Sequence, residues 1–101
     1  MKHTVYAVRL KGDVEMRYVG LTYRNLEFRL RQHITSPCSV DFRAWLIAHR
    51  GEIEAFPIAQ SDDREIAKAT ERTVIALCAR FGHRLFNRAH VPKECAWKEA
   101  A

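Results

Sequence analysis

Apolar and polar residues alternate from His3 to Leu10, in a run rich in β-branched and aromatic side chains, and predict a strand. Lys11-Gly12-Asp13 is a turn signal, and Val14 to Gly20 predicts the returning strand of a hairpin. With a three-residue loop, Leu10 would pair with Val14, Val8 with Met16 and Tyr6 with Tyr18, setting the two tyrosines opposite each other on one face. The period then lengthens. Asn25 suits an N-cap for a helix to about Ile34, on which Leu26, Arg29, Leu30 and His33 share a sector of roughly 100°. Beyond a loop around Pro37, Phe42, Trp45, Leu46 and His49 recur at helical spacing within Val40 to His49, and Gly51 is the stop.

Ile53 to Ala59 predicts a third strand, which Pro57 assigns to an edge or a bulge. Asp62-Asp63-Arg64-Glu65 carries a D-x-x-E pattern like a capping box and opens a long helix to about Phe81, where Gly82 ends it. Leu85-Phe86-Asn87 is short, extended and expected to pair with the sheet or lie against it. The order ββααβα predicts an α+β fold: a small, mainly antiparallel three-stranded sheet flanked by helices. There are no repeats, linkers or low-complexity tracts. The reading is therefore one domain over residues 1–92 and a C-terminal tail, 93–101, bearing Trp97.

With 48% hydrophobic and 29% charged residues, the composition is that of a soluble globular protein holding a single core. No apolar run approaches a membrane span and no secretory h-region opens the chain, so a cytoplasmic protein is expected. Lys plus Arg is 17 against 12 for Asp plus Glu, a formal +5, and 12 of the 17 cations are arginines. Arginine forks match phosphate oxygens, so the excess leans toward a polyanionic partner. Cys38, Cys78 and Cys95 are odd in number, widely spaced and without C-x-x-C, which argues against a disulfide framework or a structural zinc. Cys78 falls on an apolar helical stripe, as a small core residue does.

Two stretches carry chemistry. Arg29 and His33, four apart on one helix face, follow a strand ending in Tyr18-Val19-Gly20. A guanidinium fork beside a proton acceptor suits a phosphate ester. Glu71 shares an apolar stripe with Ala67, Val74, Ile75 and Cys78, where an ionised carboxylate is costly unless a cation meets it. It is either a buried partner of an arginine or a ligand for a divalent metal.

Thr4-Val5-Tyr6, eleven intervening residues, Tyr18-Val19-Gly20, Arg29, His33, Glu71 and Asn87 together resemble the GIY-YIG nuclease family in order and spacing, from Thr4 to about Asn87. The resemblance implies an endonuclease that hydrolyses DNA phosphodiester bonds to 5′-phosphate and 3′-hydroxyl ends. It implies that Glu71 holds one Mg²⁺ or Mn²⁺ and that Arg29 neutralises a non-bridging oxygen. Tyr6 or Tyr18, helped by His33, would position or deprotonate the attacking water, with Asn87 supporting the geometry. Free tyrosine titrates near pH ~10, so such a base needs nearby positive charge.

Arg24, Arg29 and Arg31 are the cations expected to meet nucleic acid, whether duplex, branched or single-stranded. One site cuts one strand, so a double-strand break implies a homodimer, sequential cuts or a partner protein, which could also supply specificity. The chain departs from the family in reading TVY for GIY. Cys38 and Ser39 also stand where many relatives carry a second histidine. A catalytically inactive nucleic-acid-binding module on a nuclease scaffold is the rival reading, and a zinc-binding interaction domain is a third.

Overall fold

The computed structural model describes residues 2–97. It is an α+β domain with strands β1 (His3–Leu10), β2 (Met16–Thr22) and β3 (Ile53–Ser61) and helices α1 (Leu26–Thr35), α2 (Val40–Ala48) and α3 (Arg64–Arg80). A single turn of 3₁₀ helix follows at Lys93–Cys95. The sheet order is β2-β1-β3 and both pairings are antiparallel. Among the described residues no helix is long and apolar enough to cross a membrane.

β1 is the middle strand and buries both of its faces. Its even positions, Tyr6 and Val8, pack with Phe42, Trp45, Leu46 and Phe86, and Leu26 and Leu30 of α1 close over them. Its odd positions, Val5 and Ala7, pack with Val19, Leu85 and Ile75 of α3. The alternation in the sequence thus divides the core into two layers, one on each side of the sheet. Pro57 lies on edge strand β3, next to a register shift opposite Val5 and Tyr6, so it is both an edge and a bulge residue.

The hairpin differs from its expected register. β2 begins at Met16 instead of Val14, and five residues, Lys11 to Glu15, form the connection. The Asp13 carboxylate accepts from the Glu15 backbone N–H at 3.0 Å, holding a wider turn than three residues allow. Val8 therefore pairs with Tyr18 and Tyr6 with Gly20, with an irregularity between Val8 and Arg9. A two-residue slip leaves every side chain on its expected face, because the strand period is two. Tyr6 and Tyr18 remain on one face as diagonal neighbours, ring centroids 6.3 Å apart.

Helix ends follow local chemistry. Asn25 and Ser39 accept from the N–H groups of Phe28 and Phe42, capping α1 and α2. α3 is capped by Asp63, whose carboxylate accepts from Glu65 and Ile66, so Asp62 of the D-x-x-E pattern is not the cap. At its other end Gly82 takes φ +90°, its N–H bonds to Ala79 and that of His83 bonds to Cys78. This Schellman motif turns the chain back toward the sheet. Residues 83–87 then run along the outer edge of β2. His83 Nδ1 accepts from Met16 N–H at 2.8 Å, and Phe86 N–H donates to the Arg17 carbonyl at 2.7 Å. Trp97 belongs to the same layer, donating its indole N–H to the Leu85 carbonyl at 2.8 Å and meeting the Phe86 ring edge-on. The rest of the expected tail, 98–101, lies outside the described residues.

Candidate active site

The polar groups singled out in the sequence converge around the Tyr18–Gly20 end of β2. Gly20 explains itself first. A Cβ there would lie 2.5 Å from the Tyr6 hydroxyl oxygen, so only glycine lets the Tyr6 ring lie flat across β2. Crossing that gap, the Tyr6 hydroxyl reaches His33 Nε2 at 2.9 Å. Tyr6 is 0% exposed and His33 1%, so this pair is sealed from solvent. Phe42 stacks on Tyr18 at 4.3 Å between centroids and meets His33 edge-on at 4.9 Å, while Tyr18 meets His33 edge-on at 4.8 Å.

Burial decides the protonation states. Desolvation, with the Arg29 cation adding to it, lowers His33 to about 4, so the imidazole is neutral at pH 7. Desolvation raises Tyr18 to about 12 and Tyr6 further still, the latter also pushed up by Tyr18. Arg29 pulls both phenols down and Glu71 pushes both up. Both are phenols at neutral pH, and the half-buried Tyr18 is the more reachable of the two.

Arg29 is a fixed cation. Burial pulls its pKa down, but the oxygens of Tyr6 and Tyr18 outweigh this and hold it above its ordinary value. Gln32 steadies it by accepting from Nη1 at 3.3 Å. Cys38 stands beside the guanidinium, while Ser39, the other residue at the expected second-histidine position, is spent as the α2 cap.

Glu71 comes from the opposite side of the sheet, on α3. Burial raises its carboxyl pKa, and the nearby His90, Arg72, Arg29 and Lys68 pull it back. It is half-buried, without a salt bridge among the described residues. Asn87 sits at the strand itself. Its amide accepts from Val19 N–H at 2.9 Å and donates to the Val19 carbonyl at 2.7 Å, fixing the backbone between Tyr18 and Gly20.

Tyr6, Tyr18, Arg29, His33, Glu71 and Asn87 are therefore brought together from β1, β2, α1, α3 and the segment after α3. Arg24 lies on the β2–α1 connector, its guanidinium over the Phe28 ring at 4.7 Å. Arg31 is exposed on the far side of α1 from Arg29, two residues away on the helix, and is not part of the cluster. His90, close enough to act on Glu71, was not legible in the sequence. Its one local signal is structural, a left-handed φ of 68° at a non-glycine residue.

Among the described residues no three His, Cys, Asp or Glu side chains cluster to form a closed metal cage. A lone half-buried carboxylate still fits a hydrated divalent cation. Mg²⁺ is commonly held by one or two carboxylates, with waters and substrate phosphates completing its shell. No family model, curated protein or solved structure matches the chain.

Proposed function

We propose that this chain is a metal-dependent endonuclease of the GIY-YIG type, hydrolysing DNA phosphodiester bonds to 5′-phosphate and 3′-hydroxyl ends. The observation that carries the reading is the 2.9 Å Tyr6–His33 hydrogen bond, with Arg29 beside it and Glu71 arriving from a different helix. Each of these polar groups is costly to bury, and a purely structural core would be more stable without them.

Their roles follow from charge and access. Arg29, unpaired with any carboxylate among the described residues, meets a non-bridging phosphate oxygen. Tyr18, the accessible phenol, hydrogen-bonds and orients the attacking water; it would take the water's proton only from its phenolate form, which the Arg29 charge favours and burial opposes. Tyr6 is too deeply buried to touch a phosphate, and its hydroxyl instead fixes the His33 ring. His33 stays neutral, its protonation disfavoured by burial and by Arg29. Asn87 holds the strand that presents Tyr18. Glu71 would hold Mg²⁺ or Mn²⁺, and such a cation, when bound, neutralises phosphate charge and acidifies water. Arg24 and Arg29 are the cations nearest the DNA path, and a second copy or a partner protein would be needed for a concerted double-strand break.

The test is nicking of supercoiled plasmid with Mg²⁺ or Mn²⁺. Metal-dependent cutting by the wild type that is lost in Glu71→Ala is the expected result. The sealed burial of Tyr6 and His33 favours a second reading, an inactive nucleic-acid-binding module. Absence of cutting on plasmid, branched and single-stranded substrates, with salt-sensitive DNA binding retained, would establish that reading instead. Tight stoichiometric zinc in the purified protein would favour the interaction-domain alternative.

A further inference from the structure

The connector that leads from β2 into α1 also walls a second feature. Together with residues at the start of β1 and in β3 it lines an open groove of about 410 Å³, whose walls include Lys2, Tyr23, Arg24, Pro57 and Gln60. No carboxylate contributes to its lining. The groove adjoins the cluster through the chain itself, since Tyr23 lies three residues beyond Gly20 and Arg24 five before Arg29.

Local structure holds its two main groups in place. Thr22 is buried, and its hydroxyl accepts from the Arg24 backbone N–H at 3.0 Å, closing a tight turn. Tyr23 is 56% exposed, with the Arg24 guanidinium lying over one face of its ring. The Arg24 guanidinium lies over aromatic rings, 4.7 Å from the Phe28 centroid and 5.4 Å from that of Tyr23, and among the described residues it makes no salt bridge. Its charge is thus oriented by π faces and still available to an anion. Lys2 adds a second cation, its only salt-bridge partner among the described residues being the exposed Asp62 at 3.7 Å. Pro57, with no N–H to offer, adds an apolar ring to the lining. Gln60 is anchored by donating its amide to Thr4 Oγ1 at 3.1 Å.

An exposed aromatic ring with two cations in the same groove, and no carboxylate in its lining, matches one nucleotide of a single strand. A base stacks on the ring and its phosphates meet the cations. Duplex DNA offers no such face, because its bases are stacked on each other. We infer that this groove is a subsite for an unpaired DNA nucleotide beside the cleavage site, with Tyr23 stacking on the base and Arg24 and Lys2 meeting the adjoining phosphates. The inference rests on the proposed nuclease reading for the identity of the polymer and for its path across Arg29. It makes single-stranded or branched DNA the substrate class.

The experiment is fluorescence anisotropy with a labelled short oligothymidylate and a labelled blunt duplex of equal length, in EDTA so that cutting plays no part. Wild type is expected to bind the single strand more tightly. Tyr23→Ala should weaken that binding about tenfold and change duplex binding by less than about twofold, while Tyr23→Phe keeps wild-type affinity because the ring face remains. Arg24→Ala should weaken both and lower the salt dependence. Equal weakening of both DNAs by Tyr23→Ala, no weakening, or loss in Tyr23→Phe as well would overturn the subsite. Plasmid cutting in the absence of Tyr23-dependent binding sinks the subsite alone. Tyr23-dependent binding by a protein that cuts nothing sinks the nuclease reading alone.

Discussion

The two faces of β1 bury different kinds of side chain. Toward α3, Val5, Ala7, Val19, Ile75 and Leu85 pack into an apolar layer. Toward α1 and α2, one residue along the same strand, Tyr6 joins His33, Tyr18 and the Arg29 guanidinium among aromatic rings. The Arg17 guanidinium lies in the same layer, over Phe86 at 4.6 Å and near Trp45 and Trp97. The first face contributes packing. The second spends part of that stability on groups whose desolvation is unfavourable, as is expected where chemistry is placed.

The contrast can be broken most strongly by one substitution on each face. Arg29→Ala should cut the nicking rate about 10²–10³-fold, as loss of a group that stabilises developing charge does, with its denaturation midpoint nearly unchanged. Val5→Ala should do the reverse, costing about 2 kcal/mol of stability in urea titrations and leaving nicking per folded molecule unaltered. Equal losses of activity in the two variants would erase the distinction.

Gly20→Ala comes next. The added methyl must displace a Tyr6 ring that cannot move away from His33, so a loss of about 1–3 kcal/mol is expected. Calorimetry of Gly20→Ala alone and combined with Tyr6→Ala checks the cause, since the double variant should show little additional cost from the methyl.

Acid should then discriminate between the faces. His33 titrates at about 4 in the folded chain and near ~6.5 when unfolded, so the unfolded state takes up the proton first as pH falls. The contribution is fully present above pH ~6.5 and is lost progressively down to about 4. Denaturation at pH 7 and pH 5 should differ by about 1–2 kcal/mol from this group, and His33→Asn should remove that share of the slope.

The smallest effect has the opposite sign. Burial raises the Glu71 pKa, so its ionised form weakens the fold once pH exceeds the folded value. Glu71→Gln should abolish metal-dependent nicking yet raise the melting temperature at pH 7 by about 1–2 °C, a modest gain because the half-exposed carboxylate is screened. A lower melting temperature would mean that Glu71 is a structural ion-pair partner after all.

Periodicity carried most of the architecture. The strand from His3 to Leu10, the helix cap at Asn25 and the Gly82 stop rest on interactions within a few residues, and those are legible in a sequence. The hairpin register was not, because it depends on how Asp13 folds the turn, and the α3 cap fell to Asp63 where two adjacent aspartates competed. Arg29, His33 and Glu71 were recognisable from their placement on helical stripes. Their assembly, with Glu71 brought from α3 into the field of Arg29 and Asn87 clamping Val19, depends on tertiary packing between residues far apart in the chain. Tyr23 and His90 carry no periodic signal, and only the folded backbone shows what surrounds them.

Residues 83–87 have a consequence beyond the site. A three-stranded sheet has two open edges, and an open edge can recruit another copy of the same chain by strand pairing. On β3 the edge is interrupted by Pro57 and its bulge. On β2 the backbone groups of Met16, Arg17 and Val19 are already occupied by His83, Phe86 and Asn87. The segment that steadies the YVG strand is thus also a guard against self-association, and Asn87→Ala should betray itself first as light scattering in a concentrated solution.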